Sequence, residues 1–366
     1  MTVIDPAPDG TAPRFVLAPS AYLDPAVLEV ELERVFERSW SVVADSGQVS
    51  RVGDTLPVQV GRCPIVVVRT EQGLRAHHNI CRHRGMQVIS ERSNCNSLRC
   101  GYHGWEWDLD GDLTRVPQRK TQFPDLDDLS LGLHPAAVEE WEGMVLVNAD
   151  PSPTPLLESL SVIPDGIGSF RPGRLAQVAH VTLQAECNWK LFVENHIDVY
   201  HLWYLHDRSL ADFDHTRFEH VSGGGNWTSY EPVKAVRRPT FGSIPGAVPI
   251  GHIDERDRFG IGAHMMFPNL LMASTSDYFI TYAITPVTST SSTIDLRVRA
   301  EPGSDPAALV AAARSFIDED VRACEMIQRA MQSDRFAVGP LALEHERPIV
   351  AFQQHLLSLL HPAERL

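Results

Sequence analysis

Two short segments pair a cysteine with a histidine. Cys81-Arg82-His83 precedes Cys100-Gly101-Tyr102-His103, with 16 residues between them. Each half offers one thiolate and one imidazole from a tight loop. Four such donors can close a tetrahedral zinc site. They can also hold a [2Fe–2S] cluster, with two Cys on one iron and two His on the other. The surroundings favour the cluster. Gly85 and Gly104 follow the histidines, where backbone must approach bridging sulfides. Tyr102 can supply a hydroxyl donor, and Trp105 and Trp107 give an apolar shell that excludes water. Cys95 fits no ligand position and reads as a bystander thiol.

A second constellation lies in the aromatic, helix-like stretch Trp189 to His206. Asp198, His201 and His206 are spaced Asp-X2-His-X4-His. On a helix Asp198 and His201 share a face. His201 and His206, five apart, diverge by about 140° on an ideal helix, too far for one metal. The segment must therefore bulge or end between them, and a π-turn is the usual device. Two imidazoles with one carboxylate make the facial triad of a non-heme Fe(II) oxygenase. Spacing alone does not locate that carboxylate. His77, His78, His196, His215, His220 and His264 read as surface or hydrogen-bonded core residues, with His196 and His215 close enough in sequence to support the metal segment.

Cys81-Arg82-His83-Arg84-Gly85 and Cys100-Gly101-Tyr102-His103-Gly104-Trp105 resemble the Rieske domain of Rieske non-heme iron oxygenases, whose pattern is Cys-X-His-Arg-Gly, a spacer, then Cys-X-X-His-Gly-Trp. Gly101 stands where many members carry Pro. The resemblance, which runs from about Tyr22 to the C-terminus, implies Cys81, His83, Cys100 and His103 as cluster ligands. It implies a mononuclear Fe(II) held by His201, His206 and a carboxylate from a C-terminal helix. The matching pattern is Glu319-Asp320-X4-Glu325-X2-Gln328, which assigns the ligand to Asp320, with Asp318 as competitor. In that family the acid matching Asp198 bridges two ligand histidines of neighbouring subunits, here His103 and His201. A homotrimer follows, with or without a small β subunit.

The implied activity is that of a terminal oxygenase α subunit of the aromatic-ring-hydroxylating kind, acting on a small, aromatic or heteroaromatic substrate. Its reaction is cis-dihydroxylation, monohydroxylation or oxidative dealkylation with O2. A quaternary ammonium held by cation–π contact fits the aromatic content equally. The chain shows no Gly-X-Gly-X-X-Gly unit for NAD or FAD and no plant-type four-cysteine cluster motif. Electrons are thus expected from a separate NAD(P)H-dependent reductase, with or without a ferredoxin. Two rivals are a zinc-stabilised binding module and a pure electron carrier. Iron content separates them: about three Fe per chain for the oxygenase, two for the carrier and none for the zinc module.

The positioning elements follow. The chain has 366 residues, enough for two domains. A net charge of −15 without a basic run argues against nucleic acid. Apolar runs such as Ile65 to Val68 are strand-length, which argues against a membrane span. Met1 to Pro13 has no basic n-region, so a secretion signal is not expected. Six cysteines do not make a disulfide scaffold, and a cytoplasmic location is expected. Residues 1–39 read as a tail to about residue 18 and a helix capped by Asp24-Pro25. Residues 40–150 read as a small all-β Rieske unit, with strands at Leu56 to Val60, Ile65 to Val68 and Met144 to Val147. Residues 151–366 read as an α+β catalytic unit after the Pro-rich stretch at Pro151. Its strands are expected at Val178 to Ala185, Asn269 to Ser274, Tyr278 to Thr285 and Thr293 to Ala300, and its helices at Pro306 to Met331 and Ile349 to Leu360. The family resemblance implies a helix-grip arrangement of a central antiparallel sheet and flanking helices. Arg238 to Gly251, rich in Pro and Gly, is a candidate lid.

Overall fold

The computed structural model describes residues 17–126 and 130–361. Most of the expected tail, including Pro6, Pro8, Gly10 and Pro13, lies outside that range. Leu17, placed in the tail by sequence, is instead fully buried, and its N–H donates to Gln353 Oε1 (3.3 Å). The chain divides into two units, one from Leu32 to Leu156 and one built from the residues on either side.

In the smaller unit a seven-stranded antiparallel sheet sets Ser41–Asp45, Met144–Asn148, Pro135–Trp141, Gly73–His78, Cys63–Thr70, Asp54–Val60 and Ser93–Asn94 side by side. The run Ile65 to Val68 has no polar alternation because its strand is buried on both faces. Ile65 and Val67 join one core cluster. Val66 and Val68 join the other, with Cys81, Cys100, Trp105 and Trp107. Three short strands, Leu98–Arg99, Glu106–Trp107 and Leu113–Arg115, form a second sheet in this unit.

The larger unit is built on one antiparallel sheet of seven strands: β1 Ala176–Ala185, β2 Glu219–Gly223, β3 Asn226–Pro232, β4 Gly260–Met266, β5 Leu270–Ser274, β6 Phe279–Thr288 and β7 Ser291–Ala300. Their lateral order is β1-β7-β6-β5-β4-β3-β2. Around it lie α1 Pro25–Arg34, α2 Trp189–Ile197, α3 Pro306–Met331 and α4 Arg347–Leu360. Side-chain caps start three of these. Asp24 accepts from Ala26 N–H (2.9 Å), Asn188 from Lys190 N–H (3.0 Å) and Asp305 from Ala307 N–H (2.9 Å). Pro25 and Pro306 occupy first helical positions, where no N–H is needed.

α2 is fixed by buried polar groups as well as packing. Lys190 Nζ meets Glu31 Oε1 at 2.7 Å with side chains 0% and 1% exposed, and Trp189 Nε1 donates to Glu31 Oε2 (2.8 Å). Tyr22 OH and Gln353 Nε2 both donate to Glu194 Oε1, at 2.7 and 2.8 Å. Burial pushes the Glu194 carboxyl up to about 7. Its Oε2 has no hydrogen-bond partner and is the natural seat of that proton.

Three expectations need correction. The helix starting at Trp189 does not run through the metal segment; it stops at Ile197, and Asp198 leaves it in extended backbone (φ −85°, ψ 113°). No π-turn follows. A 3-10 turn, Tyr200–Trp203, carries His201, and further turns lead on to His206. The cause is the Asp198 side chain, whose Oδ1 accepts from Tyr200 N–H (2.6 Å) and His201 N–H (3.3 Å) and so competes with the helical ladder. The Arg238 to Gly251 loop lines no part of the cavity described below. It is pinned by Ile244 N–H to Asp277 (2.7 Å), Val248 N–H to Ser304 (3.0 Å) and Ile250 N–H to Ser276 O (2.8 Å).

Candidate metal centres and substrate cavity

The two Cys-His loops have equivalent backbones. Cys81 N–H donates to Met86 O (2.8 Å) and Cys100 N–H to Trp105 O (2.9 Å). Gly85 N–H returns to Cys81 O (2.9 Å) and Gly104 N–H to Cys100 O (3.0 Å). Each loop turns through a glycine at positive φ, Gly85 at 79° and Gly104 at 68°, a conformation that penalises any Cβ. The loops bury the sulfurs and hold the imidazoles outward. Cys81 and Cys100 lie in the apolar core, while His103 is exposed. The four donors form two pairs. His83 Nδ1 and His103 Nδ1 are 3.2 Å apart, and the two thiols are neighbours. Burial pushes the Cys81 thiol up; the loop N–H groups of His83 and Arg84 oppose this. Among the described residues, the group of three or more donors that gathers within 4.8 Å is a different one. Paired thiols and paired imidazoles suit a binuclear cluster with Cys on one iron and His on the other better than one zinc ion at the centre of four ligands. Trp105 stacks on the His83 ring (5.1 Å between centroids).

The converging group is His201, His206 and Asp320. His206 is supplied by the turns after Tyr200–Trp203, and Asp320 by α3, whose buried stripe is Leu309, Ala313, Phe316, Ile317, Asp320, Cys324, Gln328 and Met331. A carboxylate in an otherwise largely apolar stripe must be compensated. Asp320 Oδ1 lies 3.0 Å from His206 Nε2 and 3.5 Å from His201 Nε2. Three facial ligands at about 2.1 Å from one ion lie about 3.0 Å apart, so the set fits. Asp320 Oδ1 is buried and, despite those distances, makes no angled hydrogen bond, as expected of an oxygen whose lone pair faces a shared point. Burial would raise the Asp320 carboxyl, but His201 and His206 hold it down at about 2. Burial opposes charge on His201 as well, but Asp198 and Asp320 lift it to about 10. The same attraction would hold a divalent cation in the proton's place.

The outer nitrogens are oriented. His206 Nδ1 donates to Glu319 Oε2 (2.7 Å), which also accepts from Ser209 Oγ (2.7 Å). His201 Nδ1 faces Asp198 Oδ2 at 3.4 Å. Sequence reading quoted Glu319 within a motif and gave it no role; its place beside Asp320, on the helix edge facing His206, was the available signal. Asp318, the competitor, is instead ion-paired with Arg314 on the exposed face (3.0 Å). His196 donates from Nε2 to His264 O (3.0 Å), so its Nδ1 accepts from Tyr282 OH (2.6 Å). Burial pushes His196 down to about 4 and His264 to about 3, which keeps both neutral at pH 7. His77 and His78 bond to backbone carbonyls, and His220 stacks on Phe218.

A cavity of ≈ 60 Å³ contains the three converging donors, with Trp227, Ser229, Glu231, Ala263, Ala273 and Tyr282 along its sheet side. A larger cavity of ≈ 340 Å³ is lined by Thr228, Tyr230, Gly260, Gly262 and Ser274. Those residues alternate with the first set, so the larger cavity opens mainly on the opposite face of the sheet.

Residues 172–361 match the family model of the ring hydroxylating alpha subunit, catalytic domain, and residues 39–135 that of the Rieske [2Fe-2S] domain. The chain belongs to the ring-hydroxylating α-subunit family, in which the first domain binds a [2Fe–2S] cluster and the second a mononuclear iron. It is 32% identical over 200 residues to a glycine betaine monooxygenase oxygenase subunit of Chromohalobacter salexigens, covering 53% of this chain and 44% of that one. It is 34% identical over 192 residues to the biphenyl 2,3-dioxygenase subunit alpha of Rhodococcus jostii, covering 50% and 42%. These matched segments span less than half the length of either relative. A solved quaternary ammonium Rieske monooxygenase shares the fold, with a TM-score of 0.77 over 94% of each chain at 22% identity.

Proposed function

We propose that this chain is a terminal oxygenase that uses O2 and externally supplied electrons to hydroxylate a small organic molecule. The observation that carries this is the convergence of His201 Nε2, His206 Nε2 and Asp320 Oδ1 in a cavity wall, in a chain that also carries the paired Cys81, Cys100, His83 and His103. In this reading the cluster supplies single electrons and the mononuclear iron supplies dioxygen binding and reduction.

The chain's own residues have assigned tasks. Glu319 holds the His206 ring with Nε2 turned inward. Asp198 spends Oδ1 on backbone amides and keeps Oδ2 toward His201, leaving it placed to accept as well from His103 of a neighbouring copy in a homotrimer. Leu202, Leu210 and Phe316 keep bulk water from the cavity. The partner is an NAD(P)H-dependent reductase, with or without a ferredoxin. Six free cysteines and no described helix long and apolar enough to cross a membrane support work in the cytoplasm.

The test is O2 uptake with NADH and a generic Rieske-oxygenase reductase, using biphenyl and choline as alternative substrates, with product identified by mass spectrometry. Uptake matched by oxygen incorporated into one of them is the expected result.

A further inference from the structure

The ≈ 340 Å³ cavity, on the face of the sheet turned mainly away from His201, His206 and Asp320, has no task in the oxygenase reading. Its size falls in the range of small-molecule pockets, roughly 300–1,000 Å³. Gly262 on β4 lines it, paired with Tyr230 on β3 and Ser274 on β5. His264 lies two residues along β4, on the same face as Gly262. A Cβ on Gly262 would lie 2.6 Å from Ser274 Oγ and 2.8 Å from His264 Nε2, so both polar atoms converge on the space above this glycine. The two residues are 0% and 1% exposed, and neither atom has a hydrogen-bond partner among the described residues. Buried polar groups are almost always paired, because an unpaired one keeps its full desolvation cost.

The chemistry of these atoms defines what pairs with them. Thr228 Oγ1 lies 2.6 Å from His264 Nδ1 and has no other hydrogen bond among the described residues. A hydroxyl proton needs an acceptor, so Thr228 donates to Nδ1 and the neutral ring carries its proton on Nε2. His264 thus offers an N–H, and Ser274 a hydroxyl that donates or accepts. Together they fit one oxygen of a hydroxyl or carbonyl group. The charged lining does not favour an ion. Asp165, Glu219 and Asp257 outnumber Arg256, which opposes an anion. Burial and Arg347 hold His220 below its ordinary value, so it adds no charge at pH 7. Asp257 already accepts from Ser169 Oγ (2.5 Å), and Glu219 pairs with Arg256 (2.8 Å). A cation seated above Gly262 would meet an N–H there in place of a carboxylate. Phe170, also in the lining, packs on Phe279, whose ring stacks on His264, so an apolar wall backs the polar pair.

We propose that this cavity is a second small-molecule site, distinct from the iron cavity, for a neutral molecule whose hydroxyl or carbonyl oxygen is held by Ser274 Oγ and His264 Nε2. Thr228 orients the imidazole. The site does not depend on the reaction assigned to the iron cavity.

The test is a fluorine nuclear magnetic resonance titration of the iron-loaded full chain with para-fluorobenzyl alcohol, and with para-fluorobenzoate and para-fluorobenzylammonium as charged counterparts. The same titrations are run on Ser274→Ala and on Ala273→Leu, which fills the iron cavity, with circular dichroism to check folding. Saturable binding of the alcohol should persist in Ala273→Leu, be about tenfold tighter than that of either ion, and weaken about fivefold in Ser274→Ala. If Ala273→Leu does not fold, Gly262→Ala takes its place: its methyl occupies the space between the two polar atoms and should abolish the binding. Without ligand, Ser274→Ala should unfold on heating no earlier than wild type, because the hydroxyl gives up no bond. No saturable binding, binding lost in folded Ala273→Leu, binding unchanged in folded Ser274→Ala or Gly262→Ala, or an ion bound as tightly overturns the proposal. Earlier unfolding of Ser274→Ala also overturns it, since the hydroxyl then has a resident partner such as a trapped water. Binding is read without turnover, so failure here is separate from failure of the oxygenase reading.

Discussion

At the residue scale the candidate iron site depends on which atoms of three side chains face one point. Replacing His201, His206 or Asp320 with Ala removes one of three protein ligands. Product formation should be lost while the Rieske absorbance stays, because the four cluster donors lie in the other unit. Loss of that absorbance along with activity would remove these residues from the second site. Glu319 acts through His206, so Glu319→Gln should weaken iron binding roughly 10–100-fold. Asp318→Ala, which removes a carboxylate ion-paired with Arg314 on the exposed face, should not. Iron retained after dialysis against a chelator distinguishes the two. Asp198→Asn should keep both metals and slow reoxidation of the reduced cluster in a single turnover. Unchanged reoxidation would end its bridging role.

At the element scale α2 is held by Glu31, Lys190, Tyr22, Glu194 and Gln353, all buried or nearly so. Lys190→Met leaves Glu31 buried without its cation and should cost about 3–5 kcal/mol in urea unfolding. Glu194 gives a pH signature. Its folded pKa of about 7 lies above the ordinary carboxyl value, so the folded chain binds the proton more tightly than the unfolded one. Its stabilising contribution is complete below about pH 4.5 and is lost as pH rises through about 7. Wild type minus Glu194→Gln should therefore become less favourable between those limits; a flat difference would contradict the burial argument. Much at this scale was legible in sequence. Asp24-Pro25 and Pro306 marked helix starts because their chemistry is local, and the run from Ile65 to Val68 marked a strand. The end of α2 at Ile197 was not legible, because the Asp198 side chain captures two backbone amides that helical spacing assigns to the ladder. β3 went unread because Ser229 and Glu231 face a cavity, which breaks the apolar alternation that signals a strand, and β2 because it is exposed along nearly its whole length. Glu231 carried no sequence signal as a site residue, since only tertiary register brings it to His215, whereas the position of Glu319 next to Asp320 was a signal.

At the scale of the whole molecule the two candidate metal sites fall in different units: paired thiols and imidazoles in the unit from Leu32 to Leu156, and a histidine–carboxylate trio in the other. The family match covers residues in both units. The central claim is that the chain carries a [2Fe–2S] cluster and a separate iron held by His201, His206 and Asp320. Iron, zinc and acid-labile sulfide analysis of wild type and Asp320→Ala, read beside the electron paramagnetic resonance of the reduced cluster, tests it most directly. The account predicts about three iron and two sulfide per wild-type chain, falling to about two iron in the variant with the cluster signal unchanged. Equal iron in both proteins, or zinc in place of iron and sulfide, would contradict it.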